Sequence, residues 1–301
     1  MKLGSASAAR TPELVLVLVS ALWGSSFILL SIALESISPA LLVALRFGFG
    51  ALLMAAILRS RLFKLRRIDW IAGTLTGICI FFGYFLQTVG LQWISSSVSA
   101  FLTALYVPFV PLLQMIFLRK LPGKITSAGI AVAFLGMLLI MDPFSLSFDG
   151  SLGEWLTVAS ALACALEIIV IGFYAKQCEP TAFCFTQLVV VSALAAAYCA
   201  ACETVRFDAN WQLFTCLGIL IGMIAFNQYA ISWAQKSVAP VRAVLIYTLE
   251  PVFAGIIGYC VGERLGTGGF IGCLLVIGSV LLSSWLPKYL QQKKMNRGEN
   301  A

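Results

Sequence analysis

Histidine is absent from all 301 residues. Its absence removes the commonest metal ligand and the usual proton shuttle near neutral pH. Charge is scarce as well: Asp, Glu, Lys and Arg make up 11% of the chain, about half the share of a soluble domain. No segment alternates polar and apolar residues, which argues against a membrane β-barrel. There is no GxxxxGK[ST] phosphate loop, so ATP hydrolysis on this chain is not expected. HExxH, GxSxG and paired-Asp motifs are missing too, which speaks against an intramembrane enzyme, and no cofactor or metal is expected. Residues 1–12 are polar and do not resemble a signal peptide, so the first apolar run is expected to stay as a helix.

Apolar residues are abundant: 60% of the sequence, with mean hydropathy +0.97. Runs long enough to cross a bilayer, roughly 17–25 residues each, recur throughout. The chain reads as an all-α membrane protein of ten transmembrane helices: about 13–34, 39–59, 70–91, 98–118, 125–141, 155–175, 181–202, 210–233, 239–261 and 267–287. A basic tail, 288–301, follows. Nine Cys fall mostly inside these runs, where a thiol behaves as a small hydrophobe. Cys199 and Cys202 form an isolated CxxC without the second half of a zinc site.

The formal charge of +7 suggests a nucleic-acid partner less than it suggests topology. With the N-terminus assigned to the cytoplasm, every Lys and Arg falls on that side except Arg206 and Arg264 opposite and Arg46 and Arg242 within spans. Both termini are therefore expected in the cytoplasm, with the bilayer rather than nucleic acid as partner. Residues 13–142 also match 154–287 at an offset near 141. Pro39 aligns with Pro180, Arg46 with Gln187, Trp70 with Trp211, Gln87 with Gln228 and Pro108 with Pro251. Five helices is an odd number, so the two five-helix repeats are expected to be inverted, an architecture of secondary transporters with a site at mid-membrane.

Glu250-Pro251 stands deep inside an apolar run. A mid-membrane carboxylate needs a partner, water or a proton source. Pro251 donates no backbone hydrogen bond, which leaves the Tyr247 carbonyl to a cavity or a neighbouring helix. Arg46 and Glu167 are the other charges near the middle of their helices. Two readings of Arg46 stand together: it binds a substrate carboxylate, or it forms a buried pair with Glu250 that fastens the repeats. One Arg against two Glu leaves excess negative charge if all ionise, and without His the candidates for proton coupling are Glu250 and Glu167. Tyr84, Gln87 and Thr88 form a polar stripe at i, i+3 and i+4, and Tyr247 shares a face with Glu250. Gln187, Asn227 and Trp23 complete the candidate solute site; each alone could equally be packing glue. Pro108, Pro111 and Pro251 are candidate hinges. The pairs Gly73/Gly77, Gly218/Gly222 and Gly268/Gly272 read as close-packing faces.

Trp23-Gly24-Ser25-Ser26-Phe27, Leu45-Arg46-Phe47, Leu249-Glu250-Pro251-Val252 and Gly262-Glu263-Arg264-Leu265 together resemble the EamA family of the drug/metabolite transporter superfamily. The resemblance covers about 14–286. The first repeat departs from it, with Arg119-Lys120 where the second has Gly262-Glu263. It implies one membrane domain in which helices one to four and six to nine surround a cavity while five and ten brace it. It also implies a secondary transporter in the inner (plasma) membrane that exports amino acids or related small metabolites. An organophosphate or nucleotide-sugar exchanger is the alternative within the superfamily. The partners expected are a small-molecule solute and protons.

Overall fold

The computed structural model describes residues 11–119, 122–141, 149–260 and 266–296. The Gly262–Leu265 motif, Lys2, Arg10, Lys120, Asp142 and Pro143 lie outside them, as do the side chains of the basic tail. Among the described residues the chain is helical, with one isolated bridge between Ile37 and Phe207. In chain order the helices are α1 (Thr11–Leu34), α2 (Pro39–Leu58), α3 (Arg67–Gly90), α4 (Ser96–Thr103), α5 (Tyr106–Leu118) and α6 (Lys124–Met141). They continue with α7 (Leu152–Tyr174), α8 (Pro180–Cys202), α9 (Trp211–Ala234), α10 (Pro240–Tyr247), α11 (Glu250–Cys260) and α12 (Thr267–Asn296). A 3-10 turn, Arg59–Lys64, follows α2.

Among the described residues, eight stretches of helix are long and apolar enough to cross a membrane. Two of them, Val98–Phe117 and Pro240–Ile257, join α4 to α5 and α10 to α11. Shorter apolar helices cover Lys124–Ile140 and Thr267–Ser283. Outward faces carry Ile28, Leu52, Leu75, Phe82, Ile116 and Leu274, as expected where the surrounding solvent is lipid rather than water.

The fourth and ninth spans, expected to be continuous, are each broken. The break falls at Ala104-Leu105 in one and at Thr248-Leu249 in the other, shortly before Pro108 and Pro251. A proline in a helix interior removes one hydrogen bond to the preceding turn and crowds its carbonyl. Pro111 lies within α5.

The most extensive packings join the first half of the chain to the second: α2 with α8, α3 with α7 and α8, α6 with α12, and α1 with α9. Small residues make these approaches possible. A Cβ on Gly77 would come within 2.8 Å of Val190, and one on Gly73 would overlap Thr186. A Cβ on Gly272 would overlap the Gly136 carbonyl, whereas Gly268 meets only the Leu139 carbonyl, at 3.7 Å. The expectation fails at Gly218 and Gly222, where nothing lies within 4 Å: four-residue spacing defines a face of α9 but not whether a helix covers it.

Two clasps tie the halves at opposite ends of the bundle. At one end the α1–α2 turn meets the α8–α9 connection. The Ser38 amide donates to the Arg206 carbonyl at 3.0 Å, the Asp208 amide to the Ser36 carbonyl at 2.8 Å, and Arg206 to the Leu34 carbonyl. The Glu203 carboxylate accepts from the Ala40 and Leu41 amides at 2.9 and 3.2 Å, satisfying free donors at the start of α2. Ser38, the residue in the capping position, supplies no such bond. At the other end Arg66 pairs with Asp69 at 2.8 Å and also donates to the Gln177 carbonyl, after α7, at 2.8 Å. Thr186, in α8, donates to the Asp69 carbonyl at 2.9 Å. Arg242 pairs with Glu13 at 2.8 Å, joining the start of α10 to the start of α1.

Candidate functional site

A cavity of about 530 Å³ opens among α1, α3, α7 and the two broken spans. From α1 come Trp23, Ser26, Phe27 and Leu30, a single helical face at i, i+3, i+4 and i+7. α3 supplies Gly83, Tyr84 and Gln87, and α7 supplies Cys164, Glu167 and Ile168. The breaks contribute the rest: Thr103 ends α4, Tyr106 begins α5 and Glu250 begins α11. A second pocket of about 260 Å³ adjoins it, sharing Phe27, Tyr106 and Glu250 and reaching Pro251 and Met137.

Hydrogen bonds between helices hold these side chains in place. Trp23 Nε1 donates to Tyr84 Oη at 3.1 Å, and Gln87 Nε2 to Thr103 Oγ1 at 2.9 Å. Gln228 Nε2, reaching across from α9, donates to Glu167 Oε1 at 3.0 Å. Tyr106 Oη lies 3.2 Å from Glu250 Oε2 and 3.4 Å from the Tyr247 carbonyl. The carbonyl that Pro251 deprives of its helical partner thus faces a hydroxyl from the other broken span. Ser160 donates to the Gly83 carbonyl at 2.7 Å, pinning α7 to α3 where Gly83 lets Cys164 come close. On the opposite side of the cavity Gly24 lets α1 meet α11: a Cβ there would stand 2.7 Å from the Glu250 carbonyl oxygen.

Of the residues singled out in the sequence, Trp23, Tyr84, Gln87, Glu167 and Glu250 line the cavity together. Tyr247 is fully buried behind the wall, its ring edge-on to Trp23 with centroids 5.0 Å apart. Thr88 turns back to the Tyr84 carbonyl at 2.6 Å. Gln187 and Asn227 are buried outside the lining; both amide atoms of Gln187 and Oδ1 of Asn227 have no hydrogen-bond partner. Arg46 also stands outside the lining. Its guanidinium lies 5.6 Å from the Tyr84 ring centroid and 5.9 Å from that of Phe47, and its Nε and Nη1 have no hydrogen-bond partner.

The buried Arg46–Glu250 pair is not formed. Tyr106, from a break that sequence spacing did not reveal, occupies Glu250, and two aromatic rings receive Arg46. Sequence reasoning missed Tyr106, Thr103, Ser26 and Cys164. For Tyr106 a signal was present: it stands 141 residues before Tyr247, the offset that aligns the two halves. Cys199 and Cys202 are free thiols, one buried and one exposed, and among the described residues no group of His, Cys, Asp or Glu could hold a metal.

A multi-pass helical bundle surrounds a mostly apolar central cavity that carries two carboxylates, and the comparisons with known proteins supply the class. The EamA-like transporter family matches residues 11–142 and 151–285, and the chain belongs to that family. An uncharacterized transporter of Archaeoglobus fulgidus is 30% identical over 275 residues, covering 90% of this chain and 85% of that protein. The uncharacterized transporter YyaM of Bacillus subtilis is 27% identical over 291 residues, 88% of this chain and 92% of its own. One solved crystal structure matches with a TM-score of 0.77 at 17% identity, over 92% of this chain and 99% of that one, which shows a shared fold.

Proposed function

We propose that this protein is a secondary transporter that exports a small amphiphilic metabolite, an amino acid or a derivative of one, by alternating access around the Trp23–Glu250 cavity. The observation that carries the reading is the meeting of two broken spans at that cavity, where Tyr106 opens one half-helix and Glu250 opens another. Discontinuous helices around a central site are how many secondary transporters build binding sites that also move. Pro108, Pro111 and Pro251 are the hinges in this reading.

The architecture we assign is ten spans, the eight long ones with α6 and α12, in two inverted repeats over 13–142 and 154–287. The clasps support the inversion. The end of α1 meets the α8–α9 connection at one end of the bundle, whereas the segment after α7 meets Arg66 at the other. Trp70 and Trp211, in the first turns of α3 and α9, are both exposed, as aromatic residues at two membrane interfaces would be. We place both termini and the basic tail in the cytoplasm and the protein in the inner membrane. An organophosphate solute would need fixed cations, and among the described residues the cavity wall has no Lys or Arg.

Glu250 is our candidate for proton coupling, because it links the two broken spans and faces both pockets. The test is uptake of labelled amino acids, their amides and esters, and sugar phosphates into proteoliposomes with and without a pH gradient. An amino-acid-type solute should accumulate along the gradient. Glu250→Gln should lose the gradient dependence while leaving solute exchange at least partly intact at saturating solute, and Glu167→Gln should change the gradient dependence less. If no solute of the panel moves, the transport reading fails; movement of sugar phosphates alone would favour the exchanger.

A further inference from the structure

The charged groups lining the central cavity are of one sign. α7 brings Glu167 and α11 brings Glu250, and among the described residues no Lys or Arg accompanies them. Around them stand Trp23, Tyr84 and Tyr106. Each carboxylate has one oxygen held by a protein donor: Glu167 Oε1 by Gln228 and Glu250 Oε2 by Tyr106. Their second oxygens receive no hydrogen bond among the described residues. Arg46 is outside the lining, its guanidinium 5.6 Å from the Tyr84 ring centroid, and even counted in full it is one guanidinium against two carboxylates.

Resting on the transport reading above, we propose that the solute occupies this cavity as a small organic cation, a protonated amine carried on an apolar or aromatic body. The ammonium is drawn to the carboxylates of Glu167 and Glu250, and the body lies against Trp23, Phe27 and Tyr84. In a site of low dielectric an ammonium gains from both carboxylates and from the faces of the aromatic rings. A carboxylate in the same place meets two like charges, and the Arg46 guanidinium stands outside the lining, beside the Tyr84 and Phe47 rings. A free amino acid carries both groups, so its carboxylate opposes what its ammonium gains. The class selected is therefore an amino-acid derivative whose carboxyl group is missing, esterified or amidated.

The test uses the purified full-length protein and three labelled probes of similar shape: 2-phenylethylamine, 3-phenylpropionate and phenylalanine. Equilibrium binding is measured at neutral pH and moderate salt. The amine should bind at least about tenfold more tightly than either other probe. Glu167→Gln and Glu250→Gln should each weaken it by tenfold or more while still eluting as a single folded species. Should a Gln variant fail to fold, Glu167→Asp and Glu250→Asp keep the charge and should retain amine binding better than anion binding. Tighter binding of 3-phenylpropionate or phenylalanine overturns the proposal, and so does amine binding indifferent to both carboxylates, or binding of none of the three. The proteoliposome uptake assay reports separately on transport, so a transporter of anions or zwitterions would be recognised as such.

Discussion

Replacing Gly24 with Ala would test how tightly α1 and α11 are held at the cavity. The added methyl would lie 2.7 Å from the Glu250 carbonyl oxygen and 3.1 Å from the Ala254 nitrogen. Both are backbone atoms of α11, so no side-chain rotation relieves the overlap. Reaching ordinary contact requires the two helices to part by roughly 0.7 Å, and overpacking of this kind costs about 1–3 kcal/mol. The exchange of Gly for Ala in a helix returns about 0.5–1 kcal/mol, which leaves a net loss of up to about 2.5 kcal/mol, centred on about 1 kcal/mol. Because the displaced carbonyl belongs to Glu250, solute binding should weaken together with stability. Gly222→Ala is the matched control: nothing lies within 4 Å of its Cβ position, so only the helix-propensity gain remains. Unfolding of the purified variants by a graded denaturing detergent, read by tryptophan fluorescence, would compare them. A Gly24→Ala protein as stable as the parent, with unchanged binding, would refute the close approach of α1 to α11.

Glu203→Ala removes the carboxylate that accepts from the Ala40 and Leu41 amides; it should cost about 1–2 kcal/mol in the same unfolding measurement, and Glu203→Gln should cost less. Tyr106→Phe removes the one hydroxyl proton shared between Glu250 and the Tyr247 carbonyl. It should destabilise the protein by about 1–3 kcal/mol and alter the pH response of transport; unchanged melting and transport would show that this contact carries nothing.

What could be read in the sequence was what depends on local chemistry. The Tyr247 carbonyl needed a partner from elsewhere because Pro251 follows it at one helical turn, and the structure supplies Tyr106. Trp23, Tyr84, Gln87, Glu167 and Glu250 stood out as polar or amphipathic groups within apolar runs, and they share one cavity. What could not be read was which partner wins. Arg46 and Glu250 are opposite charges at similar depth, but pairing depends on how α2 and α11 are rotated, and aromatic neighbours receive one while a tyrosine receives the other. Gly218 and Gly222 have the same spacing as Gly73 and Gly77, and only tertiary packing decides that one pair is covered and the other open.

The dominance of contacts between the two halves has a consequence for how the protein is made. When residues 11–141 have entered the bilayer, the faces of α2, α3 and α6 that will meet α8, α7 and α12 have no protein to touch. The Ala44 carbonyl has yet to receive Ser192, and the Gly83 carbonyl has yet to receive Ser160. Until the ribosome delivers the second half, lipid or the insertion machinery must cover those surfaces. A nascent chain stalled near residue 150 would then be a substrate for quality control, whereas the same half produced alongside residues 150–301 would have its missing surfaces supplied from outside.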